Sequence, residues 1–287
     1  MDIIPYSDTN FSGLVQFIAR MNGRGAHHIG YFGLDAVDIE HGLQDITPPL
    51  TETFRLVFDQ GELVGVLGAE YDAEINRAWL YGPLIDHPEW HVLADRLYEQ
   101  VCGLIPSTIG EYEIFCDAEN RNCQLFSARH GFRQHGDHAI YSLPRTRPIP
   151  AGAAAAWEPC YFEQFDALHK QAFPHAYYTS QQIIEKLDDH TRLWLAAANG
   201  DLQGYVFGKT DPEANAGYID FIAVDERYRG QHIGKTLLAA AIGEMFSNPA
   251  VQKVDLTVNA SNVAAVRLYD SFGFERERTM RAFRKGG

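Results

Sequence analysis

The first 147 residues contain no lysine. They carry ten arginines against 21 Asp and Glu, whereas residues 148–287 carry eight arginines and six lysines against 17 acids. The net charge of −14 is therefore split −11 to −3 between the halves. An acidic first half repels phosphate and argues against nucleic acid as a partner, while remaining compatible with a cationic one. Long apolar runs are missing too. No window approaches 18 uninterrupted apolar residues, and the opening MDIIPYSDTNFSGL lacks a basic segment followed by an apolar one. Neither a membrane span nor a secretory leader is expected, and a cytoplasmic protein is. Cysteine is scarce. Cys102, Cys116, Cys123 and Cys160 form no CxxC pair and cluster with no histidine, so reduced thiols and no metal site are expected. His27-His28 likewise lacks an acidic or cysteine partner at ligand spacing.

What is present is ample for a folded protein. With 287 residues, 46% hydrophobic and 22% charged, the chain can build two cores. The stretch 144–152, PRTRPIPAG, combines three prolines with a glycine and has neither helix nor strand periodicity, so it reads as a semi-rigid linker between domains at 1–143 and 153–287.

The most informative stretch is YIDFIAVDERYRGQHIGK, residues 218–235. Its β-rich start, charged turn and Gly234-Lys235-Thr236-Leu237-Leu238 ending read as strand, tight loop and helix. Such a helix start presents unpaired N–H groups and a positive dipole end, and glycine lets a ligand approach them. That is a place for phosphate. A second segment, LTVNASNVAAVRLYDSFGF at residues 256–274, reads as strand, loop and a helix closed by a glycine cap.

Together these segments resemble the GCN5-related N-acetyltransferase (GNAT) superfamily. Arg229-Gly230-Gln231-His232-Ile233-Gly234 is similar to its Gln/Arg-x-x-Gly-x-Gly/Ala loop, with His232 in place of the first patterned glycine. Asn262, Ala265, Tyr269, Gly273 and Phe274 follow its Asn-x-x-Ala-x-x-x-Tyr-x-x-x-Gly-Phe pattern in order and spacing. The resemblance implies an α/β (α+β) fold with a central mixed, mostly antiparallel, twisted sheet flanked by helices. It also implies acetyl-CoA as cofactor. Ile222, Ala223 and Val224 would pair with the pantetheine arm, and Arg229, Gly230, Gln231, His232, Ile233, Gly234 and Lys235 would hold the pyrophosphate, with Arg227 adding charge. Asn262 would bond pantetheine or cap its helix. Tyr269 would be the general acid and Asp220 the base, through a water because aspartate is short, or else a structural carboxylate. The acceptor wall would be the loop 173–179 with Phe173, His175, Tyr177 and Tyr178, or that loop is packing only.

The halves also resemble each other. Asp59-Gln60-Gly61-Glu62 parallels Asn199-Gly200-Asp201 as a hairpin, with Gly61 and Gly200 139 apart. Asn120 and Gly131-Phe132 parallel Asn262 and Gly273-Phe274 at 142. A tandem duplication of two GNAT-like domains is expected. The first copy is expected to be degenerate and non-catalytic. No glycine lies between Gly82 and Gly103, Glu89, Trp90 and His91 occupy the phosphate region, and Ser127 stands where the second copy has Tyr269. Its loop 23–34, with His27, His28, Tyr31 and Phe32, is a candidate for closing the other domain's cleft.

The functional expectation is transfer of an acetyl group to a primary amine by direct attack in a ternary complex, in the C-terminal domain. A non-catalytic acyl-CoA-binding or regulatory module, and an acyltransferase for a longer acyl-CoA, stand as alternatives. The acceptor, a small molecule or a peptide, is not named by the sequence, nor is the choice between monomer and homodimer.

Overall fold

Two hairpins set the pattern. Gln60-Gly61 and Asn199-Gly200 each place two residues at positive φ, 50° and 87° in the first turn and 55° and 83° in the second. A two-residue loop with both φ positive matches the twist of the strands it joins. The first turn joins β2 (Arg55–Asp59) to β3 (Glu62–Asp72), and the second joins β8 (Thr191–Ala198) to β9 (Asp201–Asp211). The computed structural model describes residues 1–286 and divides into two compact units.

Unit 1 comprises Met1–His138 together with the residues from Arg278 on. In chain order it holds β1 (Asp2–Pro5), α1 (Phe11–Asn22), α2 (Ala36–Gln44), α3 (Leu50–Thr53), β2, β3, β4 (Arg77–Ile85), α4 (Trp90–Cys102), β5 (Glu111–Asp117), α5 (Arg121–Arg129) and the start of β6 (Arg133–Pro144). Its sheet runs β1-β2-β3-β4-β5 and is closed by the last strand of the chain, β12 (Glu275–Gly286), antiparallel to β5 from Met280↔Asp117 to Gly286↔Glu111. Phe283 of that strand lies in the unit 1 core with Leu14, Phe54, Leu97 and Phe126.

Unit 2 is Ala139–Glu277. It contains the end of β6, β7 (Ala155–Ala156), α6 (Phe162–Ala172), α7 (Ser180–Glu185), β8, β9, β10 (Ala216–Val224), α8 (Ile233–Met245), β11 (Lys253–Asn259) and α9 (Val263–Phe272). Its sheet runs β6-β11-β10-β9-β8-β7. One face packs α8 and α9 around Leu237, Ile242, Val254 and Tyr269. The other packs α6 and α7 around Phe165, Ile183, Tyr205 and Phe221. Each fully buried Leu, Ile or Phe contributes about 1.5–3 kcal/mol. Both units have a mixed, mostly antiparallel sheet flanked by helices.

The units differ from the division at 144–152 in two ways. The residues from Arg278 on belong with unit 1, and residues 139–143 belong with unit 2. Nor is 144–152 a free tether. Arg145 donates its backbone N–H to Gln252 O and its guanidinium to the carbonyls of Asn248 and Val251, Gly152 lies against the α8 backbone, and Ile149 packs on the unit 2 core. The prolines remove N–H donors, but the arginine supplies others.

Candidate cofactor and acceptor cleft

Strand β10 pairs with β9 along its whole length, but with β11 only from Ala216↔Lys253 to Ile219↔Leu256. At the point of departure Asp220 is the unmatched residue of a β-bulge, because Ile219 opposes Gly208 and Phe221 already opposes Phe207. A bulge adds local twist and re-aims the strand. Past it the two strands part, and the main chain of Phe221, Ile222, Ala223 and Val224 has no strand partner on the β11 side among the described residues.

The parting ends at the loop 225–232 and the start of α8. Asp225 caps a short 3-10 turn, Gly230 has φ 79°, and His232 takes φ 63° as the N-cap of α8. His232 therefore adopts the left-handed conformation a glycine would hold there, at a cost of about 1–2 kcal/mol. The substitution alters the side chain but keeps the backbone path. The first-turn amides of Ile233, Gly234 and Lys235 have no intrahelical acceptor by helix geometry. A Cβ on Gly230 would meet nothing within 4 Å, so the space over that residue is open, whereas one on Gly234 would be in ordinary contact with Val224 at 3.4 Å and Leu268 at 3.7 Å. Gln231, Arg229 and Lys235 are exposed. Arg227 is not available as a free charge, since its guanidinium is tied to Asp225 at 2.8–3.2 Å.

Tyr269 on α9 is buried, with ring neighbours Tyr141 at 6.3 Å and Phe274 at 5.7 Å. Burial holds its phenol well above the ordinary tyrosine value, so it stays protonated through the neutral range. Asn262 is the N-cap of α9, its Oδ1 accepting from Ala265 N–H at 3.1 Å. Asn120 does the same for Cys123 N–H in unit 1 at 3.1 Å, so capping is common to both copies.

On the other side of β10, Tyr177 donates its hydroxyl to Asp220 Oδ1 at 2.8 Å and lies 4.8 Å from the Phe221 ring. Tyr177 keeps part of its ring in solvent while its hydroxyl end turns in toward Asp220. Burial pushes the Asp220 carboxyl above the usual carboxylate range, with the Tyr177 hydroxyl, Lys209 and Lys186 pulling the other way. Phe173 packs on Phe221 at 4.9 Å, and Tyr178 on Tyr177 at 4.9 Å; His175 is exposed. The loop is pinned by a residue the sequence reading passed over. Buried His169 accepts from Tyr205 O–H at Nδ1 (2.6 Å) and donates from Nε2 to Tyr178 O (3.0 Å). Burial lowers its imidazole pKa, keeping it neutral for both bonds. Asp220, Phe173, Tyr177 and Tyr178 thus come together at the bulge, while Tyr269 belongs to the core on the opposite face.

The equivalent region of unit 1 is built differently. β4 and β10 are 139 residues apart, but α4 and α8 are 143 apart, so residues 86–89 replace 225–232 and the loop is shorter by four. The gap between β4 and β5, which pair only from Arg77 to Trp79, is occupied by unit 1 itself. Ile29 bridges Cys116, Gly30 N–H donates to Phe115 O at 2.7 Å, and Asp117 N–H to His28 O at 3.0 Å. Buried Asn22 clamps this strap, donating to the carbonyls of Phe32 and Gly33 and accepting from Ile29 N–H at 2.7 Å. Tyr31 bonds Glu113 in the same unit, so the loop 23–34 is engaged at home. Tyr81 stands where β10 has Asp220, and Ser127 donates to Cys123 O where α9 has Tyr269. All four cysteines are free.

Residues 154–274 match the acetyltransferase (GNAT) family profile. This segment belongs to the GNAT acetyltransferase family. The chain is similar to a spermine/spermidine N(1)-acetyltransferase of Bacillus subtilis, 33% identical over 82 residues, 26% of this chain and 54% of the relative. The chain spans about half the length of the curated relatives it matches first. In fold, the whole chain resembles a GCN5-related N-acetyltransferase from Sphaerobacter thermophilus, with TM-score 0.78, 18% identity, and 99% of this chain and 95% of that one covered. It also resembles a tandem GNAT protein from the clavulanic acid biosynthesis pathway, with TM-score 0.67, 16% identity, and 99% and 98% covered. No helix among the described residues is long and apolar enough to cross a membrane, and they contain no cluster of three or more His, Cys, Asp or Glu that could hold a metal.

Proposed function

We propose that unit 2 is an acetyl-CoA-dependent N-acetyltransferase that acts on a primary amine by direct attack in a ternary complex, and that unit 1 is a non-catalytic copy. The observation that carries this reading is the parting of β10 from β11 at Ile219, ending at the open first turn of α8. An unpaired strand edge accepts an extended polar arm by main-chain hydrogen bonds, and a helix start accepts phosphate. Acetyl-CoA supplies a thioester, whose acyl carbon is activated toward amines. Ile222, Ala223 and Val224 offer the edge, and the amides of residues 231–235 with Arg229 and Lys235 offer the phosphate site.

Asp220 takes the ammonium proton, directly or through a water, and so frees the nitrogen lone pair. Its raised pKa makes it a better base than an exposed aspartate. As the C–N bond forms and the C–S bond breaks, the nitrogen loses its second proton to solvent, Tyr269 gives its proton to the leaving sulfur, and the deprotonated phenol regains one from solvent. Holding both reactants in one cleft supplies up to ~7–11 kcal/mol in favourable systems.

The test is a calorimetric titration of acetyl-CoA into the full-length protein, followed by thiol-release assays with a panel of amines. One site per chain is expected, removed by Gly234→Glu, which places a carboxylate where phosphate sits. Two sites would restore unit 1 as a cofactor domain, and no site would overturn the reading.

A further inference from the structure

The six lysines of this acidic chain are unevenly committed. Lys170 pairs with Asp166 at 2.7 Å, Lys253 pairs with Asp255 at 2.6 Å, and Lys285 lies against the rings of Tyr98 and Phe132. Lys235 stands in the first turn of α8. The remaining two, Lys186 and Lys209, have no carboxylate within ion-pair distance among the described residues, and both are exposed.

Both flank Asp220. The Lys186 ammonium sits 4.5 Å from the centroid of the Tyr178 ring, which packs on Tyr177, the donor to Asp220. Lys209 opposes Tyr218 across β9 and β10 and lies 5.6 Å from its ring centroid, two residues before Asp220. Their fields are the two cationic influences on the Asp220 carboxyl. On a chain of net charge −14, two uncompensated cations beside the carboxylate that receives an ammonium proton are out of keeping with a purely cationic acceptor. A polyamine would meet like charge there. An amine that also bears an anion would satisfy all three groups.

We propose that the acceptor is a small primary amine carrying a carboxylate or phosphate close to its nitrogen, with Lys186 and Lys209 holding the anion while Asp220 faces the amine. This rests on the N-acetyltransferase reading above and narrows its substrate class. It also sets this site apart from the spermine and spermidine named for the relative from Bacillus subtilis.

The experiment uses the full chain and paired acceptors that differ in the anion. Lysine is compared with 1,5-diaminopentane, and glucosamine 6-phosphate with glucosamine; spermidine is the polycation control. The expected result is a kcat/KM at least tenfold higher for the anionic member of one pair, which tells carboxylate from phosphate. Lys186→Gln with Lys209→Gln should collapse that preference by raising the acceptor KM, leaving the KM for acetyl-CoA unchanged. Equal or better turnover of the anion-free member in both pairs, or of spermidine over every anionic acceptor, would overturn this inference and leave the acetyltransferase reading standing. So would a preference that survives the double substitution. Bound acetyl-CoA with no thiol release from any amine would overturn the acetyltransferase reading and this inference with it.

Discussion

Unit 1 and unit 2 match in the length of β3 and β9 and of β4 and β10, in turn type and in the asparagine that caps a helix, yet they treat one gap in opposite ways. In unit 1 the connection between α1 and α2 is thirteen residues, 23–35, and part of it lies in the gap between β4 and β5. In unit 2 the connection between α6 and α7 is seven residues, 173–179, and it packs against Phe221 and Asp220 instead. The loop before the long helix changes the other way, four residues against eight. Six residues added at one loop and four removed at another are enough to turn a cleft into a core. On the proposed reading the scaffold is kept while the site is lost, because the sheet carries the stability and the loops carry the chemistry.

The comparison breaks most sharply at the tyrosine. Tyr269→Phe keeps the ring in its core but removes the proposed acid, and we expect kcat to fall about 100-fold, as for loss of a general acid. Ser127→Ala, its counterpart, should leave kinetics alone and cost about 1 kcal/mol for the lost bond to Cys123 O. Steady-state rates and urea unfolding of both variants check this. Next is the strap. Asn22→Ala removes three hydrogen bonds and leaves buried backbone groups without partners, so the protein should lose about 2–4 kcal/mol in urea unfolding without gaining a second acetyl-CoA site. A second site in that variant would show that the strap alone had closed unit 1. The smallest effect concerns Tyr177→Phe. The Tyr177 hydroxyl favours the ionised form of Asp220, so its loss raises the carboxyl pKa further. The base must be ionised to act, so the acid limb of kcat/KM should move to higher pH. A limb that moves lower, or stays, removes Asp220 from the base role.

Much of this was legible from residue order. The strand-loop-helix at 218–235, the glycine cap at Gly273 and the duplication register all follow from local chemistry, and the structure has them where the motifs put them. The strap was not legible. Residues 28–32 carry no periodicity, and their pairing with β5 spans almost ninety positions of chain. The change from 139 to 142 between motif pairs was visible as an offset, but its resolution into a four-residue loss before α4 and a one-residue gain after it needed the element boundaries. His169 reads as one histidine in an amphipathic helix; only the fold puts Tyr205 and Tyr178 on its two nitrogens. The lysines were countable, and their convergence on Asp220 was not.

The last strand has a consequence for how such a chain is made. Until residues 278–286 leave the ribosome, β5 has an unpaired edge and Arg284 has not reached Glu113. A bare edge is a template for wrong partners. Unit 1 therefore waits for a segment made after the whole of unit 2. Cutting the chain at 144–152 gives fragments that have each surrendered a strand to the other, so the gene cannot be split into two self-sufficient proteins at the place where its sequence seems to invite it.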